Sequence, residues 1–271
     1  MSRLDATLLE LGRMDAIAAG DSPLHRIDPR AKVLATAAYL VAVVSFERHS
    51  VSALLPLALY PALLIAWGGL PLDFFLRRLV AAAPFVLFVA IFSPWFDRRI
   101  VYEIGGWQVT GGWMACFSIT VRFVLTVTAA LVLLASTGLY PVGLALQRLW
   151  VPRVLVVQML LVYRYIFVLG AEAARMVRAY GLRSFSRRAM PPRVFVSALG
   201  QLLLRTMDRA DRVHQAMLCR GFDGEIRLPR HLRMRAGDWA FLALWTAFFV
   251  AARRWNLAEA LGHIVTGGSA S

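Results

Sequence analysis

The chain has 271 residues, of which 59% are hydrophobic and only 17% charged, yet its formal net charge is +14. A mean hydropathy of +0.62 excludes an ordinary soluble domain of this length and points to a polytopic membrane protein, all-α because helices satisfy their own backbone groups in lipid. Cys116 lies in an apolar run and Cys219 in a basic one, which excludes a disulfide framework; neither they nor the five histidines fall in a metal-ligand pattern.

Residues 1–30 are polar, carry Asp5, Glu10, Asp15, Asp21 and Asp28, and show no cleavable signal pattern; they are expected to form a cytoplasmic N-terminal segment. The segment runs out in Leu24-His25-Arg26-Ile27-Asp28-Pro29-Arg30-Ala31-Lys32. Asp28 is placed as the N-cap of the first apolar helix with Pro29 at its first position. Arg30 and Lys32 then mark the cytoplasmic edge of a span.

Transmembrane helices are expected over 31–135 and again in 238–271, about five in all within a range of about four to six. Spans at 31–46 and 51–67 make a helical hairpin about the 47–50 loop. A third, 79–95, follows Arg77-Arg78, and Trp67 and Trp95 suit interfacial belts. Residues 96–112 are Gly-rich and turn-like, an external loop. The strongest span, 113–135, is interrupted by Arg122, about 9 residues or roughly 13 Å into the helix. An intramembrane arginine faces a bundle interior or snorkels, and a structural role is favoured here over one in transport. The apolar stretch 154–170, which contains Arg164, is compatible with spanning, re-entering or lying in the interface. The last span is 239–252. With the N-terminus inside, Arg77-Arg78 and the large basic region both fall on the cytoplasmic side.

That region, 136–237, holds seventeen arginines and five carboxylates, a net of +12. A helix opened by Pro152 turns amphipathic from Ala171, Pro191-Pro192 closes a linker, and a second helix runs over 194–220. On the second helix Arg205, Arg209, Arg212 and Arg220 fall within a sector of about 80 degrees, beside an apolar stripe of Leu199, Leu203, Met207 and Ala210. Both helices finish on one phrase, Ala-x-x-x-Arg-small-Phe. The copies are Ala179 to Arg183-Ser184-Phe185 and Ala216 to Cys219-Arg220-Gly221-Phe222, 37 residues apart. Gly221 suits the residue after a helix end, and Arg220 complements the helix dipole. Singly, such an end is a helix stop; two at matching offsets point to two equivalent receptors. A nucleic-acid face would mix Lys with aromatics and need no adjoining membrane, so no nucleic acid is expected. The lipid bilayer is the general partner of the basic face.

The 24–32 phrase and Ala216-Met217-Leu218-Cys219-Arg220-Gly221-Phe222-Asp223-Gly224 resemble the two most recognisable stretches of the CbiQ family, the transmembrane T-components of cobalt energy-coupling factor importers. The resemblance implies a non-catalytic scaffold, multi-pass in a bacterial plasma (inner) membrane. Such a scaffold joins two cytoplasmic ABC-type ATPase subunits to a small metal-binding membrane subunit. It implies that Arg183 with Ser184, and Arg220 with Cys219 and Gly221, dock into the ATPase pair, and that Asp28, Pro29, Arg30 and Lys32 are the family's N-terminal motif. No cofactor or metal is then expected on this chain; ATP and magnesium sit in the partner ATPases. Cobalt is the implied cargo, with nickel or another substrate as the alternative. Where the family has an Ala-Arg-Gly-like motif, this chain has Leu182-Arg183-Ser184 and Cys219-Arg220-Gly221.

Two other classes compete. A self-contained transporter would carry polar groups along its spans, which beyond Arg122 offer no Asp, Glu or His cluster. An enzyme would need a nucleophile and a base; Asp208 and His214 read as solvated helix residues.

Overall fold

Asp28 starts the first helix as the sequence predicts. In the computed structural model, which describes residues 12–46, 54–92, 100–104, 107–184, 190–224 and 234–254, its side chain accepts from the Arg30 amide at 2.9 Å, with Pro29 in the first turn of α1 (Pro29–Ser45). Ala31, Ala35, Tyr39 and Val43 recur every fourth residue and are all fully buried, the single stripe expected of a helix with one packed face.

The second and third apolar stretches depart from expectation. Pro56 opens a short 3-10 turn, Pro56–Ala58, and only Leu59–Gly68 is α-helical (α2), about 15 Å where 51–67 was read as a span. The third helix, α3, runs Leu72–Ile91, beginning seven residues earlier than the hydropathy run. Pro71 precedes it and Asp73 occupies its first turn, so local start chemistry, not apolarity, sets its beginning. Arg77 and Arg78 therefore lie within the helix, with Arg78 over the Phe74 ring at 3.8 Å. Leu72, Leu76, Val80, Phe85 and Phe88 are exposed, an apolar outer surface suited to lipid.

The loop read as Gly-rich and turn-like contains an antiparallel hairpin, β1 (Ile100–Ile104) and β2 (Trp107–Thr110), with Glu103 opposite Gln108 and a register irregularity between Ile100 and Tyr102. Helix α4 follows, Gly111–Thr137. Three of its threonine hydroxyls bond its own backbone: Thr120 donates to Cys116 O at 2.9 Å, Thr126 to Arg122 O at 2.8 Å and Thr128 to Val124 O at 2.6 Å, which makes a polar residue tolerable in an apolar helix; the buried Ser118 hydroxyl has no such partner. Leu125, Ala129, Val132 and Ala135 form its buried face.

The chain divides into two compact units. One comprises Ile17–Gly138 and Leu232–Ser271, and there α1 packs on α4 and on the last helix, α8 (Ala236–Arg254). At its centre the Tyr39 and Tyr60 rings stack with centroids 4.7 Å apart, Trp245 meets Tyr60 edge-on at 4.7 Å, and the Tyr60 hydroxyl bonds Thr36 Oγ1 at 2.9 Å.

The other unit comprises Met1–Ala16 and Leu139–His231. It holds α5 (Leu139–Arg148), a helix within the basic region 136–237, α6 (Arg153–Arg183) and α7 (Pro192–Cys219). Gly143 lets α5 approach α6 closely: a Cβ there would lie 3.0 Å from Met159 Cε and 3.1 Å from Leu160 Cδ2. Tyr163 of α6 donates to Asp15 Oδ1 at 2.8 Å, which ties Asp15 to α6.

Among the described residues two helices are long and apolar enough to cross a membrane: Gly112–Thr137, with a window of mean hydropathy 2.1, and Arg153–Arg183, with 2.0. The stretch 154–170 is thus part of one continuous helix of 31 residues, about 46 Å long. The fold is an all-α membrane protein carrying one small hairpin. Loop 47–50, Trp95, Phe185 and linker residues 186–189 fall outside the described residues.

Candidate docking ends and the N-terminal motif

Arg183 is the last residue of α6 and Arg220 the C-cap of α7. Both are exposed, and among the described residues neither forms an ion pair. Each cation complements the partial negative charge of its helix C-terminus and leaves its guanidinium fork open to a carboxylate or carbonyl group.

The two ends leave their helices differently. After Arg220, Gly221 takes φ +75, its amide donates to Leu218 O at 2.9 Å, and the Phe222 amide donates to Met217 O at 3.0 Å. These are the paired bonds of a Schellman turn. After Arg183, Ser184 is extended (φ −94, ψ 118), its amide returning to Tyr180 O at 3.0 Å. The repeated phrase thus yields two arginine-tipped ends, only one of which is closed by a left-handed residue, because serine lacks glycine's freedom there. Cys219 is exposed beside Arg220.

The arginine sector on α7 divides. Arg205 Nη1 pairs with Glu172 Oε1 of α6 at 2.7 Å, and Glu172 also holds Arg175 one turn further along its own helix. Arg209 lines a groove of 480 Å³ between α6 and α7, with Leu161, Leu169, Met207, Met217 and Phe222. Arg212 remains outward and exposed. The predicted basic face is therefore partly internal to the helix pair. His214, read as a solvated residue, also lines the groove. Glu172 was counted only as a charge in the sequence; its place as the link between the helices depends on a pairing 33 residues apart.

The N-terminal motif makes more contacts than a membrane-edge marking requires. Lys32, 4% exposed, donates through Nζ to Ser136 O at 3.0 Å and Thr137 Oγ1 at 3.3 Å, at the end of α4. The Asp28 amide donates to Asp238 Oδ1 at 2.9 Å. Asp238 Oδ2 accepts from the Arg235 amide at 2.8 Å, the backward half of a capping box at the start of α8. The sequence did carry a signal for Asp238, an acid in the first turn before an apolar run; it carried none for its bond to Asp28. Arg122 donates through Nη2 to Phe46 O at 2.9 Å, at the C-cap of α1. Among the described residues no group of three or more His, Cys, Asp or Glu is placed to hold a metal ion.

The CbiQ family model, described as cobalt transport protein, matches residues 20–231. A Streptococcus thermophilus protein named energy-coupling factor transporter transmembrane protein EcfT is 24% identical, covering 79% of this chain and 86% of its own length. The Lacticaseibacillus paracasei protein of that name is 28% identical over 81% of this chain and 89% of its own. An uncharacterized protein of Methanocaldococcus jannaschii is 26% identical over 81% of this chain and 78% of its own. The matched residues include Arg183, Arg220 and Asp28 to Lys32, and stop short of Asp238.

Proposed function

The chain belongs to the CbiQ family, and on that premise we propose that it is the transmembrane scaffold of an energy-coupling factor importer in a bacterial plasma membrane. Its partners in this reading are two cytoplasmic ATPases, which bind the ATP and magnesium, and a small membrane subunit that captures the cargo ion. Cobalt is the cargo the family description favours. The chain itself catalyses nothing and moves no ion through its own bundle.

The observation that carries the reading is the pair of long helices, α6 and α7, each ending in an exposed arginine, Arg183 and Arg220. Each fork enters a groove of one ATPase and meets its carboxylate or carbonyl groups bidentately, a geometry lysine does not reproduce. ATP-driven approach of the ATPases displaces the two helix ends, and the helices carry the displacement into the membrane.

The test is Arg183→Ala together with Arg220→Ala, made in the intact chain. Truncating one side of a buried charged contact costs about 2–5 kcal/mol, so the ATPases are expected to be lost from the detergent-purified complex while membrane insertion is unchanged. Undiminished ATPase yield from the double variant refutes the docking role.

A further inference from the structure

The chain passes between its two compact units three times: after Ala16, after Gly138 and after His231. Within the unit built from α1, α4 and α8, the residues bordering the first two passages, and the helix that follows the third, are bonded to the same short segment, His25 to Lys32. Ile17 is the first residue after the first passage, and its carbonyl accepts from His25 Nε2 at 3.1 Å. That bond fixes the ring proton on Nε2, so Nδ1 accepts from Ser22 Oγ at 2.6 Å. Ser136 and Thr137, the last residues before Gly138, are held by Lys32 Nζ. Asp238, in the helix that the third passage leads into, is held by the Asp28 amide.

A displaced helix moves a bundle only if the chain joining them is stiff where it enters. A loose joint absorbs the displacement in its own dihedral angles. Hydrogen bonds to charged groups are the strongest of their kind, and they are stiffest where water cannot substitute. Lys32 is 4% exposed and Asp238 7%, so opening the bonds at Ser136 and Thr137 or at the Asp28 amide strands a charged group out of water.

We infer that His25 to Lys32, with Asp238, is a mechanical clasp through which movement of α6 and α7 drives the α1, α4 and α8 bundle. Lys32 and Asp238 are its positioning residues. The inference rests on the scaffold function proposed above and adds a role for the motif that docking alone does not need. Its partner Asp238 lies beyond the residues matched to the family.

The experiment uses the full complex of this chain, the two ATPases and the cargo-binding subunit in lipid vesicles, reading ATP hydrolysis and cobalt uptake together. Lys32→Met keeps an unbranched stem and removes the donor, Lys32→Arg keeps a donor, and Asp238→Asn weakens a different bond of the segment, the one from the Asp28 amide. The expected result for Lys32→Met and Asp238→Asn is a complex of normal subunit ratio that hydrolyses ATP within about twofold of the unaltered rate. Ions moved per ATP should fall by about tenfold or more, and Lys32→Arg should restore most of the ratio. Unchanged coupling overturns the inference. A proportional fall of hydrolysis and uptake also overturns it, since that marks a merely structural segment, as does failure of both loosening variants to accumulate folded. Failure of the unaltered chain to assemble with ATPases overturns the scaffold reading instead.

Discussion

Substituting Gly221 separates backbone shape from side-chain bulk at the end of α7. Its φ of +75 lies in the left-handed region, which costs an L-residue about 1–2 kcal/mol. A Cβ placed there meets nothing within 4 Å, so within this chain the penalty for alanine is wholly conformational. The strain is relieved most cheaply by undoing the two cap bonds from Gly221 and Phe222, which re-aims Arg220 and leaves the rest of the helix intact. The docking-competent end then falls in population, and the apparent affinity for the ATPases with it, by about five- to thirtyfold. Asparagine enters the left-handed region more readily and should stay within about threefold of the unaltered chain. The assay is titration of detergent-purified chain with the ATPase subunits. Asparagine binding as weakly as alanine, or more weakly, would show that room for a partner's surface sets the requirement. Alanine binding like glycine would show that the cap does not position Arg220; either result defeats the reasoning.

Two further perturbations probe other joints. Gly143→Ala should be near neutral, because the gain in helix propensity, about 0.8–1 kcal/mol, is set against close contacts with the side-chain ends of Met159 and Leu160; Gly143→Val should destabilise by about 1–3 kcal/mol, read as a lower thermal midpoint in detergent. His25 is held below its ordinary value near 6.5 mainly by burial and also by Lys32, against the bond to Ile17 and the charge of Asp21. Its neutral ring is therefore the folded form. The contribution is complete above about pH 6.5 and declines as pH falls through that value, because the unfolded chain takes up the proton first. The thermal midpoint should drop below pH 6.5 in the unaltered chain and drop less in His25→Gln; parallel pH profiles would contradict this.

Helix starts were the most legible feature of the sequence, since Asp28-Pro29 and Pro191-Pro192 act within one turn. The Gly221 stop was legible for the same reason. Span lengths were less so: hydropathy alone extended the second span across Pro56 and began the third only after Arg77-Arg78, whereas proline and Asp73 decide where those helices begin. The hairpin over 100–110 was obscured by the glycines around it. For the site, the arginine-tipped ends could be read from a local phrase. Commitment of Arg205 to Glu172 could not, nor could the grip of Lys32 on Ser136, 104 residues away, because nothing local specifies a partner at that separation.

Helix α7 has 28 residues and buries none of them; Phe195, Val196, Leu199, Leu203 and Met207 are all more than half exposed. Most helical stability in proteins comes from a packed face, so this helix draws little of its persistence from its own chain. Local opening there should be frequent enough for cellular proteases to reach it. Copies made in excess of their partners would then be the copies removed, and the proportion of this subunit in the membrane would be set by turnover of the unassembled chain more than by its rate of synthesis.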